Sequence, residues 1–230
     1  MKCRIAALAG LTVLLAPGPG RLLACPYTVT GLLHTGYHEQ PDANMYLHNN
    51  GGLMAMEPYG TALLTDGPGG RGLDFNTDDD FIDTGAVGRP DNYMNLFWGC
   101  FNAPEAGSYE FRNTGDDDRC GIWLDLDQDG VFESSVPGLG SNRGEQLSWE
   151  DGGTKTVSLA AGSYMFAVTH GEYGGNARVD VRFRAPSMLG QVIIKPTDPA
   201  QAGMWTTVPE PAALSLLALG GLALLKRRRS

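Results

Sequence analysis

Basic side chains are scarce in this chain. Its 230 residues hold 17 Lys and Arg against 26 Asp and Glu, and seven of the basic residues lie in the terminal segments 1–24 and 209–230. The body between them keeps 10 basic against 25 acidic side chains, a net charge of −15. Phosphate backbones are repelled by such a surface, so nucleic acid is disfavoured as a partner. Sustained helical periodicity is missing from residues 26–188, which argues against a helical bundle. Catalytic signatures are missing too: the chain has no nucleophile elbow, no HExxH pair and no phosphate loop, and the expectation is a non-enzyme. His34 and His38 have the spacing of a helical metal pair, but Gly36 between them and the strand-like surroundings argue against one.

Short alternating runs separated by turns take the place of helices. Tyr164, Phe166 and Val168 alternate with Met165, Ala167 and Thr169, while Val179, Val181 and Phe183 alternate with Arg178, Asp180, Arg182 and Arg184. Period two with one apolar and one wet face is the mark of a half-buried strand. Residues 95–101, 108–112, 120–124 and 156–159 supply four more runs, and 32 Gly with 14 Pro supply the turns. The expected fold class is all-β, an antiparallel sandwich or barrel over residues 25–188, followed by a linker at 189–208.

The body is organised around the acidic stretch Gly115–Glu133, which holds Asp116, Asp117 and Asp118 and then Asp125, Asp127 and Asp129. Carboxylates this close repel one another unless a cation or hydrogen-bond donors neutralise them. An all-oxygen set suits a hard cation, and Ca²⁺ accepts six to eight oxygens in flexible geometry. Asp125-x-Asp127-x-Asp129-Gly130 matches the first half of a calcium loop, with the Val131 carbonyl and Glu133 as further ligands. Val136 occupies the twelfth position, where a bidentate Glu belongs, and the flanks are strand-like, so a helix-loop-helix hand is not expected. The alternative is a solvated acidic turn.

Other residues qualify as ligands. Between two strands, the segment His170–Asn176 offers Glu172 and Asn176 to a metal or a sugar, and Asp78–Asp80 with Asp74 and Asp83 form a further acidic run in a loop. An exposed Trp98, Trp123 or Trp149 would stack on a sugar ring, although buried aromatics are the commoner case.

Both ends read as addresses. Met1–Arg4 followed by an apolar run of about a dozen residues is a secretory signal, residues 1–24, with cleavage near Leu22–Cys25. The same four residues weakly resemble a lipobox, which would leave Cys25 lipidated. Export permits disulfides. Of the exported cysteines, Cys100 and Cys120 lie in separate strand-like runs and are the expected bridge, with Cys25 left over; two buried thiols are the alternative. At the other end Pro209-Glu210-Pro211 precedes an apolar run, 212–225, and then Lys226, Arg227, Arg228 and Arg229.

That last order of parts, over residues 209–230, resembles the bacterial PEP-CTERM sorting signal. The resemblance implies export, transient membrane retention by a C-terminal apolar helix, and processing by an exosortase. In the body, Leu96–Pro104, Ala106–Phe111, the Asp dyad before Ile122–Asp125, Val157–Tyr164 and Val179–Pro186 resemble, in order, the PA14 β-sandwich family. In adhesin members of that family consecutive Asp residues help hold a calcium ion that contacts sugar hydroxyls. The resemblance places that dyad on Asp117 and Asp118, with Asp116 beside it. Arg119-Cys120 follows where a Gly often stands, and the 125–133 loop looks more like a structural metal site than a sugar site. The expectation is therefore a calcium-dependent, non-catalytic carbohydrate-binding module of the cell surface or matrix, with extracellular polysaccharide as partner. A matrix module in which calcium only stiffens loops is the rival, and a glycan-cleaving enzyme the weaker third reading.

Overall fold

The computed structural model describes residues 29–41, 45–47, 51–116, 118–133, 144–149 and 153–207. Along them run β1 (Leu32–Tyr37), β2 (Gly60–Leu64), β3 (Asp74–Phe75), α1 (Asp78–Ile82), β4 (Tyr93–Ala103), β5 (Gly107–Asp116) and β6 (Arg119–Leu124). There follow β7 (Gln146–Trp149), β8 (Thr154–Leu159), β9 (Gly162–Glu172), β10 (Val179–Arg184), β11 (Val192–Ile193) and β12 (Trp205–Thr206). They form two sheets, ordered β2-β1-β4-β9-β6-β7 and β11-β10-β5-β8, with β12 added beside β4 and β3 beside β10. The pairings between these strands are antiparallel. The all-β sandwich expected from the alternating runs is the observed architecture.

Phe97 and Phe101 of β4, Phe166 of β9, Tyr109 and Phe111 of β5 and Phe183 of β10 meet between the sheets, all fully buried. The smaller sheet has the expected wet outer face, where Arg184 pairs with Glu110 and Arg182 with Asp180. The larger sheet departs from expectation, because its outer face is covered as well. Met94, Leu96, Trp123 and Ala167 pack there against Met45, Leu47, Leu53 and Phe132. Apolar residues at both parities of β4 are the sequence counterpart of a strand buried on two faces.

Four further expectations are corrected. Residues 189–207 are no plain linker: β11 and β12 enter the two sheets, and the fully buried Trp205 lies 4.9 Å from the Phe101 ring and 5.1 Å from those of Phe166 and Phe183. Asp78–Asp80 lie on α1, not in a loop, and His170–Glu172 end β9, leaving only Tyr173–Arg178 as the connection. The Cys100–Cys120 bridge does not form. Cys120 is a buried thiol, and the disulfide that Cys100 forms is not with it. Register is the reason, since Cys100 lies opposite Met165 and Cys120 opposite His170 on the intervening β9. Two strand spacings and five residues of offset far exceed the roughly 4.4–6.8 Å between α-carbons that a disulfide spans.

Candidate metal and glycan sites

β6 separates the two acidic clusters. Asp118 precedes it and Asp125 follows it, so the two stand about 20 Å apart at opposite ends of one strand. They are two sites, and each is built by different loops.

At the C-terminal end of β6 the chain curls back on itself through Gln128 at φ 63° and Gly130 at φ 88°. The left-handed turn wraps backbone N–H groups around Asp125: its Oδ1 accepts from Asp129 at 3.2 Å and its Oδ2 from Gly130 at 2.9 Å. Asp127 Oδ1 accepts from the Asp129 N–H at 3.3 Å, and Asp129 Oδ1 from the Val131 N–H at 2.8 Å. The sequence reasoning missed one member of this cluster, Glu145. It stands just before β7, fully buried, and its Oε1 accepts from Leu126 and Asp127 while its Oε2 accepts from Glu133 at 3.1 Å. The signal for it was thin, a single Glu between a turn and a strand, 20 positions from Asp125.

Carboxylate oxygens of Asp125, Asp127 and Glu145 lie within 4.8 Å of one another, as do those of Asp127, Asp129 and Glu133. Oxygens on opposite sides of a calcium ion stand about 5 Å apart, so a single ion can touch such a set. Asp127 belongs to both triads and joins them into one cluster. Burial pushes the Glu145 carboxyl up to about 8, and Asp125 adds to the rise by repulsion. Burial likewise raises Asp125 to about 6, with Asp127 and Asp129 contributing. Glu133 is raised by desolvation and by the same two neighbours, and its Oε2 is buried without a hydrogen-bond partner among the described residues. Among the described residues no Lys or Arg forms an ion pair with any of the five. The donor set thus fits a hard cation, and Glu145 supplies the carboxylate that Val136 does not.

The N-terminal end of β6 gathers loops from both sheets. Asp118, at φ 65°, accepts the Tyr173 N–H at 2.5 Å, and the Arg119 guanidinium sits 5.6 Å from the Tyr173 ring centroid. Asn176 donates to the Asn76 carbonyl at 3.0 Å, tying the β9–β10 connection to the loop before α1. Asp117 and the side chain of Asp116 lie outside the described residues, as does the Trp149 side chain. Trp123 is buried with its Nε1 3.3 Å from the Thr169 hydroxyl, and Trp98 is half-buried, so Trp123 belongs to the core and not to a stacking platform.

The comparisons agree with this architecture. The PA14 domain of the MpAFP antifreeze protein superposes with a TM-score of 0.50 at 14% identity, over 81% of this chain and 96% of that one. The Epithelial Adhesin 6 A domain from Candida glabrata, solved in complex with Galb1-3GlcNAc, superposes with a TM-score of 0.50 at 10% identity, over 77% and 89%. Residues 207–229 match the PEP-CTERM protein-sorting motif. The chain is a PA14-like sandwich carrying a PEP-CTERM signal. No curated protein matches it in sequence. The signal indicates an exported protein of the cell surface. No helix among the described residues of the PA14-like sandwich is long and apolar enough to cross a membrane; the run 212–225, the tripeptide Pro209–Pro211, the Arg227–Arg229 cluster and the expected secretory signal at 1–24 lie outside them.

Proposed function

We propose that the chain is an exported, non-catalytic surface module that binds carbohydrate and depends on calcium for its loop structure. The observation that carries the calcium half is the convergence of Asp125, Asp127, Asp129, Glu133 and Glu145, two of them buried. Asp118 and Asn176, with Asp116 and Asp117, form the glycan half at the other end of β6, where the vicinal hydroxyls of a sugar complete the shell of a carboxylate-held ion. A likeness in fold to an adhesin domain solved with a disaccharide supports that reading. The PEP-CTERM match supports exosortase processing near Pro209–Pro211 and retention through the 212–225 run until then.

Burial favours a second reading for the 125–133 loop. Asp125 is 2% exposed and Glu145 0%, so an ion there is anchored from the buried side and serves to stiffen the sandwich, with only Asp127 exposed. Glycan-array binding with and without chelator separates the two. Binding lost on chelation supports the lectin, while no glycan binding beside a calcium-dependent melting temperature leaves the matrix module.

A further inference from the structure

Tyr59 is the most exposed aromatic residue among the described residues, at 57%, yet it is held in place. Its backbone N–H donates to the Gly36 carbonyl at 2.8 Å, and its ring lies on His38 with the centroids 3.6 Å apart and the planes 22° from parallel. A β-carbon at Gly88 would come within 2.5 Å of the Tyr59 hydroxyl oxygen, so that loop closes on the far end of the ring. His38 Nε2 accepts the Gly88 N–H at 3.1 Å, which puts the imidazole proton on Nδ1 and leaves the ring neutral. Burial and the charge of Arg89 both lower its pKa and keep it so. Tyr59 is thus a fixed, solvent-facing ring, and such a ring is a contact surface that needs little further ordering.

Planar polar groups border it. Arg89 follows Gly88 and donates through Nη2 to the Asn92 carbonyl, while Asn92 Oδ1 accepts from the exposed Gln40 amide at 3.0 Å. Arg89 has no ion pair among the described residues. The exposed Glu39, Glu57 and Asp91 each lie within two positions of one of these residues and disfavour an anionic ligand. Strand register supplies the ligand class. Gly60 lies opposite Gly36, Tyr37 opposite Met94, Tyr93 opposite Glu172 and Gly171 opposite Arg119. Tyr59 and Asp118 therefore stand at the same end of the large sheet, four strand spacings or roughly 19 Å apart. We infer that Tyr59 is the stacking platform of an outlying subsite, where one pyranose ring of a neutral glycan chain lays its C–H face on the tyrosine and turns its hydroxyls to Gln40, Asn92 and Arg89. The inference rests on the carbohydrate-binding reading and extends it from one sugar at Asp118 to a chain laid across that end of the sandwich.

The test uses the full chain in excess chelator, with the ring signals of Tyr59 and His38 as the readout. The methyl glycosides of β-glucose, β-galactose and α-mannose are titrated in turn, beside sorbitol, a polyol without a ring face. At least one glycoside is expected to shift both signals saturably, and sorbitol to leave them in place. Read on His38, Tyr59→Phe should bind within about twofold of the parent and Tyr59→Ala roughly fivefold more weakly or worse, because the ring and not the hydroxyl makes the contact. Melting temperatures of the two variants should match the parent's, since the side chain is exposed. The proposal is overturned if none of the three glycosides moves the signals, if sorbitol moves them equally, or if Tyr59→Ala binds like the parent. Glycan-array binding that is lost on chelation would outlast each of these failures, so the calcium-linked reading is judged separately.

Discussion

Glu145 takes three backbone N–H groups from the 125–133 loop and is fully buried, which makes it the hinge of the calcium account at the scale of single residues. Glu145→Gln keeps the shape but removes the charge, and is expected to weaken Ca²⁺ tenfold or more, a loss of about 1.4 kcal/mol of calcium-linked stability. Melting curves of both proteins at saturating Ca²⁺ and in chelator check this; an unchanged calcium increment would remove Glu145 from the ligand set. His34 makes a separate prediction. Its folded pKa of about 4 lies below the ordinary histidine value of 6.5, so between those values the unfolded chain binds more protons. Its contribution to stability is complete above about pH 6.5 and is lost as pH falls toward 4. Ring nitrogen shifts should show a neutral His34 down to about pH 4, and a midpoint near 6.5 would contradict its burial among Phe75, Phe81 and Phe97.

At the scale of elements, two segments outside the recognised strands hold the sandwich closed. Trp205 on β12 fills the space between Phe101, Phe166 and Phe183, so Trp205→Ala should cost about 3–5 kcal/mol in chemical denaturation. Leu53, in the cover over the outer face of the large sheet, should cost about 2–5 kcal/mol as Leu53→Ala; a change within 0.5 kcal/mol would mean that face is wet after all. The legible parts of the fold were those with period two. β10 announces itself by strict alternation, and β4 and β9 by apolar residues on both faces of an extended run. β11 and β12 are two residues each, too short to show any period, and Trp205 sits in a stretch rich in Pro, Thr and Gly that reads as linker. The outer cover was hidden for a related reason, since Met45, Leu47 and Leu53 have no regular spacing and their role depends on a sheet formed by distant residues. The disulfide was misassigned because separation in sequence carries no register.

For the whole molecule, the acidic body, the two-sheet frame and the C-terminal sorting motif describe an exported β-sandwich. Three of the loop's candidate ligands could be read from Asp125-x-Asp127-x-Asp129, because alternate residues of a turn face one point. Glu145 could not, because only the fold brings the start of β7 beside the end of β6. The same frame sets Asp118 at the opposite end of β6, so the proposed metal and glycan sites can be tested separately. Differential scanning calorimetry of the exported protein, in millimolar Ca²⁺ and again in chelator, tests the central claim most directly. At a hundredfold excess over the dissociation constant the bound ion should add about 2.7 kcal/mol and raise the melting temperature by several degrees. Identical curves in the two buffers would contradict it.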